Sequence, residues 1–392
     1  MATPGSARRR RPEGKELAAG MSTELTDTTS GRINAAIVRA RRTAGAPVGM
    51  VLTLVVVTDE ENAHDALKAA RDASTEHPAR ILVVIRRPTR KSARRPESRL
   101  DAEIRVGGDA GAGETVLLRL HGELAEHADS VVLPLLLPDA PVVVWWPVDA
   151  PAHPARDPLG ALAQRRITDS YAVADPPAEL AARAASYTPG DTDLAWTRLT
   201  PWRTMLAAAL DQTRNRTITG ATIESEAENP SAALLAGWFA DRLGVPVRQL
   251  VNDGPVVTDV SLHTPEGDIH IHRPAGPVAR LSIPGQPTRT LPLKVRATAE
   301  LIAEELRRLD PDEAYAGALR AEVLPLREEG ALGAAATDGA RAGEATADVK
   351  TAVPETPDRE TADGAGETRA EKGTGVRKRA GRPRQRKPNG TA

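Results

Sequence analysis

The sequence predicts an α/β protein, in which an N-terminal domain on a mixed sheet is followed by a smaller α+β domain, with disordered termini. Val51–Val57 and the run ILVVI at 81–85 are continuous apolar segments, typical of strands buried on both faces. Apolar residues between them recur with helical spacing at Ala63, Ala66, Leu67 and Ala70. This strand–helix–strand order predicts a parallel pair. Residues 245–284 hold short strand-like pieces separated by Gly, Pro and Asp, which favours an antiparallel sheet.

These segments divide the chain into four parts. We expect a disordered leader at 1–25, an α/β domain at 26–210, an α+β domain at 211–325 and a disordered tail at 326–392. The tail has few large apolar residues, so it cannot bury enough surface to offset its ordering entropy. It ends in the basic run RKRAGRPRQRKP.

Helix starts and strand alternation define the remaining elements. The pairs Asp157-Pro158, Thr200-Pro201 and Asp310-Pro311 each place a capping side chain before a proline. We predict helices at 158–166, 201–212, 231–243, 294–309 and 311–320. The loop GGDAGAGE at 107–114 lies between two alternating strand patterns. A strand follows it where a phosphate-binding loop needs a helix, so it favours a hairpin over an anion site.

Composition excludes several classes of function. Lys and Arg total 52 against 53 Asp and Glu, a formal net charge of −1, so no global field attracts nucleic acid or an anionic membrane. The absence of cysteine excludes disulfides, thiolate metal ligands, a cysteine nucleophile and a thiol switch within this chain. No apolar stretch approaches the roughly 20 residues that span a bilayer, and no apolar segment follows the basic start. We expect a cytoplasmic protein without membrane association.

Histidines give two candidate sites. His270 and His272 in DIHIHR share one strand face, which His263 can join, but no fixed carboxylate or cysteine is evident beside them. The alternative is the solvent-exposed face of a sheet, and we expect no metal. His77 and Arg80 in EHPAR precede a central strand. They bind an anion or fix the loop between helix and strand.

Tryptophan and arginine residues give a third candidate. Trp145 and Trp146 end a strand and point to opposite faces, where they fill two cores or anchor an interface. Arg165 and Arg166 lie at the end of the predicted helix at 158–166, as solvated or salt-bridged charges or as contacts to a partner or a phosphate. A further stretch, 187–203, combines turn residues with two tryptophans and two arginines.

The order and spacing of five segments resemble the OpcA family of glucose-6-phosphate dehydrogenase assembly proteins. The resemblance covers about residues 25–325. Its longest motifs are SVVLPLLLPDAPVVVWWP at 130–147, DPLGALAQRRITDS at 157–170 and GDTDLAWTRLTPWR at 190–203. The other two are the segment at 49–85 and RLDAEIRVGGDAGAGETVLLRL at 99–120.

The resemblance implies a protein that binds glucose-6-phosphate dehydrogenase, promotes its assembly and activates it, with no catalysis and no cofactor of its own. The candidate partner-binding residues are Trp145, Trp146, Arg165, Arg166, Trp196 and Trp202. One rival is a sugar-phosphate or nucleotide-binding sensor or enzyme that uses His77, Arg80 and the glycine-rich loop. The other is a nucleic-acid-associated protein that uses the basic tail, whose Gly-Arg-Pro matches the core of an AT-hook, although the near-neutral charge does not favour it.

Overall fold

The computed structural model describes residues 21–44, 49–87, 98–107, 113–213, 216–254, 256–274 and 276–321. They form two sheets with helices packed on them, which confirms the α/β class. Residues 1–20 of the predicted leader and residues 322–392, with the basic tail, lie outside the described ranges. Within those ranges, every helix is too short or too polar to cross a lipid bilayer.

The first sheet has eight strands. They are β1 (Met21–Leu25), β2 (Leu52–Thr58), β3 (Ala79–Arg87), β4 (Arg99–Val106), β5 (Glu114–His121), β6 (Val142–Trp145), β7 (Arg165–Thr168) and β8 (Asp191–Asp193). Their order is β1-β4-β5-β3-β2-β6-β7-β8. The six neighbouring strands β5, β3, β2, β6, β7 and β8 pair in parallel. At one edge, β4 pairs antiparallel with both β5 and β1. The antiparallel β4–β5 pair confirms the predicted hairpin around 107–114, although residues 108–112 lie outside the description.

Helices pack on both faces of the first sheet and on one face of the second sheet. They are α1 (Ser30–Ala44), α2 (Ala63–Ala73), α3 (Ala128–Val132), α4 (Pro176–Ser186), α5 (Leu194–Arg198), α6 (Thr200–Gln212), α7 (Pro230–Leu243) and α8 (Thr298–Arg307), with further helical residues at 313–321. The apolar stripe of α1 packs against one face of the first sheet. Helix α2 packs against the other face, so the central strands are buried on both sides.

The second sheet has six strands. They are β9 (Gly220–Ser225), β10 (Val247–Val251), β11 (Val257–His263), β12 (Ile269–His272), β13 (Val278–Ser282) and β14 (Arg289–Pro292). Their order is β10-β9-β11-β12-β13-β14, antiparallel except for β9 with β10. One face packs on α6, α7 and residues 313–321. Helix α8 follows this sheet in the chain but returns to the first sheet, where Leu301 and Ile302 join the core of Leu54 and Ile81.

Two predicted elements were wrong. Residues 21–25, assigned to the disordered leader, form β1 because they pair with residues 102–106 of β4. The helix predicted at 158–166 is a short 3-10 turn at 160–162, after which Arg165 and Arg166 enter β7 between β6 and β8. These two arginines therefore do not lie at a helix end, and the expected interaction with a helix dipole is absent.

Gly190 gives a first prediction about the turn into β8. Its φ is +97°, and an added Cβ would lie 2.3 Å from the carbonyl oxygen of Gln164. We expect Gly190→Ala to lower the free energy of unfolding by roughly 2–5 kcal/mol, since backbone strain and overpacking add. The matched control is Gly244→Ala, with φ +63° and no atom within 4 Å of the added Cβ, so only the strain of about 1–2 kcal/mol remains. Equal losses in urea unfolding would show that the close contact is relieved without cost.

Candidate functional site

Residues 190–203, GDTDLAWTRLTPWR, connect the two sheets and are called the junction segment below. Asp193, fully buried, ends β8 and begins α5, because its carboxylate accepts the backbone N–H of Ala195 at 2.8 Å. The same carboxylate accepts hydrogen bonds from the hydroxyl of Thr168 at 2.6 Å and from the hydroxyl and N–H of Ser170 at 2.8 and 3.1 Å. One side chain thus fixes the ends of β7 and β8 and the start of α5.

A buried ion pair ties α8 to this junction. The guanidinium of Arg165 on β7 donates to Glu305 of α8 with an Nε–Oε2 distance of 2.8 Å and also to the carbonyl oxygen of Asp310 at 2.9 Å. Thr197 in the junction segment donates to the other oxygen of Glu305 at 2.5 Å. The side chains of Arg165 and Glu305 are 5% and 6% exposed. Both charges are therefore paired and hydrogen-bonded, and the pair joins α8 to β7.

Trp196 is enclosed by groups from distant parts of the chain. Its indole N–H donates to Asp312 at 2.8 Å, and the guanidinium carbon of Arg203 lies 3.7 Å from its ring centroid. The ring of Tyr315 packs at 6.0 Å. Asp312 also accepts the N–H groups of residues 314 and 315, so it begins the last helical segment, where the sequence pointed to Asp310.

A cleft opens beside the junction segment, between it and the second sheet. Its interior volume is about 50 Å³, and it opens to solvent. Four cationic side chains line it, and no carboxylate is among its described lining residues. The lining residues are Tyr171, Arg198, Leu199, Trp202, Ser231, Val256, Val257, Arg273, Leu293, Lys294, Val295 and Arg296. This cleft is the candidate functional site.

Three of the four cations are held by carboxylates that lie outside the lining. Arg198 donates two hydrogen bonds to Asp169 at 2.8 and 2.9 Å, and its guanidinium lies 4.6 Å from the ring centroid of Tyr171. The other two pairs are Arg296 with Glu304 at 2.5 Å and Lys294 with Glu300 at 2.6 Å. Arg198 and Arg296 are therefore positioned by their carboxylates, whereas the Lys294 pair is exposed to solvent, with side chains 63% and 41% exposed, and is only weakly held.

Arg273 is the exception. It is 7% exposed, and its guanidinium makes no hydrogen bond or ion pair with any residue that the structure describes. Burial lowers the pKa of Arg273, an effect that the nearby Tyr171 opposes. Its Nε is shielded from solvent, and a buried charged group without a partner is costly, so among the described residues the cleft contains one uncompensated anion-binding group.

The six residues expected to bind a partner are all buried. Trp145 and Trp146 are 2% and 1% exposed and lie in the two cores on opposite faces of the first sheet, as the packing alternative predicted. Arg165 and Trp196 belong to the junction described above. The other two follow the same pattern: Arg166 pairs with Asp191, and Trp202, 5% exposed, packs in the core below the cleft. A role in partner binding stays a prediction and would act through the junction rather than by direct contact.

At the predicted anion site of His77 and Arg80, the arginine is used for contacts within the protein. Arg80, 4% exposed, donates to Glu114 at 3.1 Å and to the carbonyl oxygen of Leu135, while Arg41 binds the same carboxylate. Burial lowers the pKa of Arg80, with Glu114 opposing and Arg41 adding to the effect. All three guanidinium nitrogens of Arg80 are engaged, so of the two alternatives the structure supports fixation of the strand entry.

The histidine face of the second sheet holds a carboxylate that the sequence did not place there. Asp259 on β11 accepts from His270 at 3.0 Å and from His272 at 2.7 Å, and the ligand atoms of the three residues lie within 4.8 Å of one another. Burial opposes ionisation, but the hydrogen bonds from both histidines hold the pKa of Asp259 below its usual value. These three residues could hold a divalent transition metal. The premise that no carboxylate lies nearby was wrong.

One hydrogen-bonded chain on the same face has the order of a nucleophile, a base and a carboxylate. Thr222 contacts His263 Nε2 at 2.8 Å, and Nδ1 of His263 lies 3.1 Å from Asp268. His263 and Asp268 are 37% and 49% exposed, and none of the three residues lines the cationic cleft. The chain stabilises three neighbouring segments of the open sheet face, but nothing beside it in the described structure holds a substrate.

Comparison with known families identifies the chain. One family model, the glucose-6-phosphate dehydrogenase subunit N-terminal domain, matches residues 70–185, and a second, the C-terminal domain of the same subunit, matches residues 189–319. The chain belongs to the OpcA family. The two OpcA domain matches meet at residues 185–189, directly before the junction segment, and the second one contains Trp202, Arg273 and the rest of the cleft apart from Tyr171.

Curated relatives agree with this family. An OxPP cycle protein OpcA from Synechocystis sp. is 31% identical over 138 residues, which cover 33% of this chain and 29% of the relative. Its counterpart from Synechococcus elongatus is 32% identical over 186 residues, covering 44% and 41%. The chain thus spans less than half the length of either relative. An oxidoreductase structure from Sinorhizobium meliloti aligns over 73% of this chain and 89% of its own at 10% identity, and its TM-score of 0.32 is too low for any conclusion.

Proposed function

We propose that this protein binds glucose-6-phosphate dehydrogenase, promotes assembly of its active oligomer and catalyses no reaction itself. The observation that carries the proposal is the match of both subunit-domain models, in order, over residues 70–185 and 189–319. The relatives' names refer to the OxPP cycle, so the oxidative pentose phosphate pathway is the proposed setting. A cytoplasmic location belongs to the same proposal.

The mechanism follows from binding equilibria. A partner activates an enzyme only if it binds the active arrangement more tightly than the inactive one, and a difference of about 1–3 kcal/mol corresponds to roughly 5–150-fold in affinity. A rigid partner binds more tightly than a flexible one, because less ordering entropy is lost on binding. The Arg165–Glu305 pair and the Trp196–Asp312 contact support such rigidity, since each joins residues more than a hundred positions apart.

The proposal predicts activation together with a physical complex. Adding the purified full chain to the cognate glucose-6-phosphate dehydrogenase is expected to raise the rate of NADP reduction, because the chain shifts the enzyme toward its active arrangement. Size-exclusion chromatography with light scattering should show both proteins in one species that is heavier than either alone. The same chain incubated without the enzyme should reduce no NADP with glucose 6-phosphate. An unchanged rate and separate elution of two folded proteins would contradict the proposal.

A further inference from the structure

The alternation along β12 and its continuation places Arg273 on the core face of the second sheet. Ile269, Ile271 and Arg273 are buried, whereas His270 and His272 between them are half-exposed. A guanidinium therefore occupies a position where the pattern requires an aliphatic side chain. Residues of this kind are rarely buried without a partner, and none is present among the described residues.

The surrounding backbone is shaped around this position. The N–H of Arg273 donates to the carbonyl oxygen of Thr258 at 2.7 Å, at the bulge where the β9–β11 register shifts between Val257 and Asp259. Val256, which precedes the bulge and lines the cleft, has φ +60°, a conformation that is strained for a β-branched residue. Bulges redirect side chains next to binding sites, and strain of this kind is frequent there.

The rest of the lining suits an anion with an organic body. Arg198, Lys294 and Arg296 are further cations in the lining. Ser231 lies in the first turn of α7, which is the positive end of a helix dipole. The aromatic ring of Trp202 and the side chains of Leu199, Val257 and Leu293 form an apolar part of the wall. A guanidinium binds either a phosphate or a carboxylate through two N–H groups, and the four cations around one cleft favour the higher charge of a phosphate.

We propose that this cleft binds the phosphate group of a small phosphorylated metabolite, with Arg273 as its central ligand. The interior volume of about 50 Å³ takes the phosphate group, and the open mouth leaves room for the sugar or nucleoside part of the ligand. The proposal does not depend on glucose-6-phosphate dehydrogenase, because the chain alone is expected to bind. If the enzyme also binds, the ligand occupies a site from which it can modulate the complex.

The test is thermal unfolding of the full chain at constant ionic strength, titrated separately with inorganic phosphate, glucose 6-phosphate, NADP and, as the reference salt, chloride. We expect at least one phosphate compound to raise the Tm saturably, while chloride does not. The compound that acts at the lowest concentration identifies the source of the phosphate group.

Arg273→Met provides the decisive variant, since methionine fits the aliphatic pattern and removes a buried unpaired charge. We expect it to keep or raise the Tm in chloride, but to weaken phosphate binding about 10- to 100-fold, the loss expected for one charge-assisted contact. The matched control is Arg280→Met, on β13, an exposed position on the opposite face with no hydrogen bond or ion pair among the described residues. It should leave both properties unchanged.

Two outcomes would overturn the proposal. One is the absence of any saturable Tm shift in the wild-type chain, or an equal shift in all three proteins, which would show nonspecific screening. The other is a cleft that responds to no phosphate compound while Arg273→Met abolishes binding of the enzyme. In that case, a carboxylate of the partner protein occupies the cleft. Because the titration uses this chain alone, its failure is distinguishable from failure of the proposed enzyme interaction.

Discussion

Replacing Glu305 with glutamine is expected to lower the free energy of unfolding by about 3–5 kcal/mol. The change leaves Arg165 charged at 5% side-chain exposure with no anion to compensate it, and it weakens the bond from Thr197. Urea unfolding followed by circular dichroism measures the loss as a lower midpoint at unchanged slope.

The control is Glu76→Gln, which removes an ion pair between Glu76 and Arg307 of α8. That pair also joins α8 to the turn between α2 and β3, but its side chains are 56% and 62% exposed. We therefore expect the free energy of unfolding to fall by only about 0–1 kcal/mol. The double variant Arg165→Met with Glu305→Gln should lose less than the two single losses together, since no charge is left unpaired. Equal losses for Glu305→Gln and Glu76→Gln would show that the buried pair does not hold α8 to the sheet.

Glu114→Gln is expected to have a similarly large effect at the other end of the first sheet. Glu114 is fully buried and accepts from both Arg41 and Arg80, so its neutralisation leaves two guanidinium groups facing each other. We expect a loss of about 3–5 kcal/mol in urea unfolding.

The chain offers a matched control for this second variant. Glu60 also pairs with two arginines, Arg87 and Arg119, but is 42% exposed. Glu60→Gln should therefore cost about 0–1 kcal/mol, because solvent already screens the pair. If Glu114→Gln proves as mild as Glu60→Gln, Arg80 does not depend on Glu114, and the anion-binding alternative for EHPAR regains support.

The sequence predicted those features that depend on local periodicity. The apolar run at 52–57, the stripe of α2 and the alternation at 100–106 and 116–120 all formed the expected elements, because each is determined by burial of its own faces, whereas Val51 is 52% exposed and lies before β2. The helix predicted at 158–166 was wrong for the opposite reason. Arg165 and Arg166 form a strand because β6 and β8 pair with it, and both guanidinium groups find carboxylates far along the chain.

The cleft was not predicted, although one signal for it was present. The pattern IHIHR places Arg273 on the face of the two isoleucines, where an aliphatic residue is expected. The remaining lining residues come from positions 171 to 296. They are far apart in the sequence, and only the folded chain brings them to one cleft beside the junction segment. The carboxylate beside His270 could likewise not be predicted, since the β11–β12 register that places Asp259 opposite His272 is a property of the folded sheet.

The most direct test of the central claim is the specific activity of glucose-6-phosphate dehydrogenase measured over a wide range of enzyme concentrations, with and without this protein. If the protein promotes assembly, the enzyme alone should lose specific activity on dilution, and a saturating amount of this protein should abolish that loss by mass action. The stimulation should then be largest at the lowest enzyme concentration, and the native mass should follow the activity. An activity that falls with dilution equally in both series, with no change in native mass, would contradict the account.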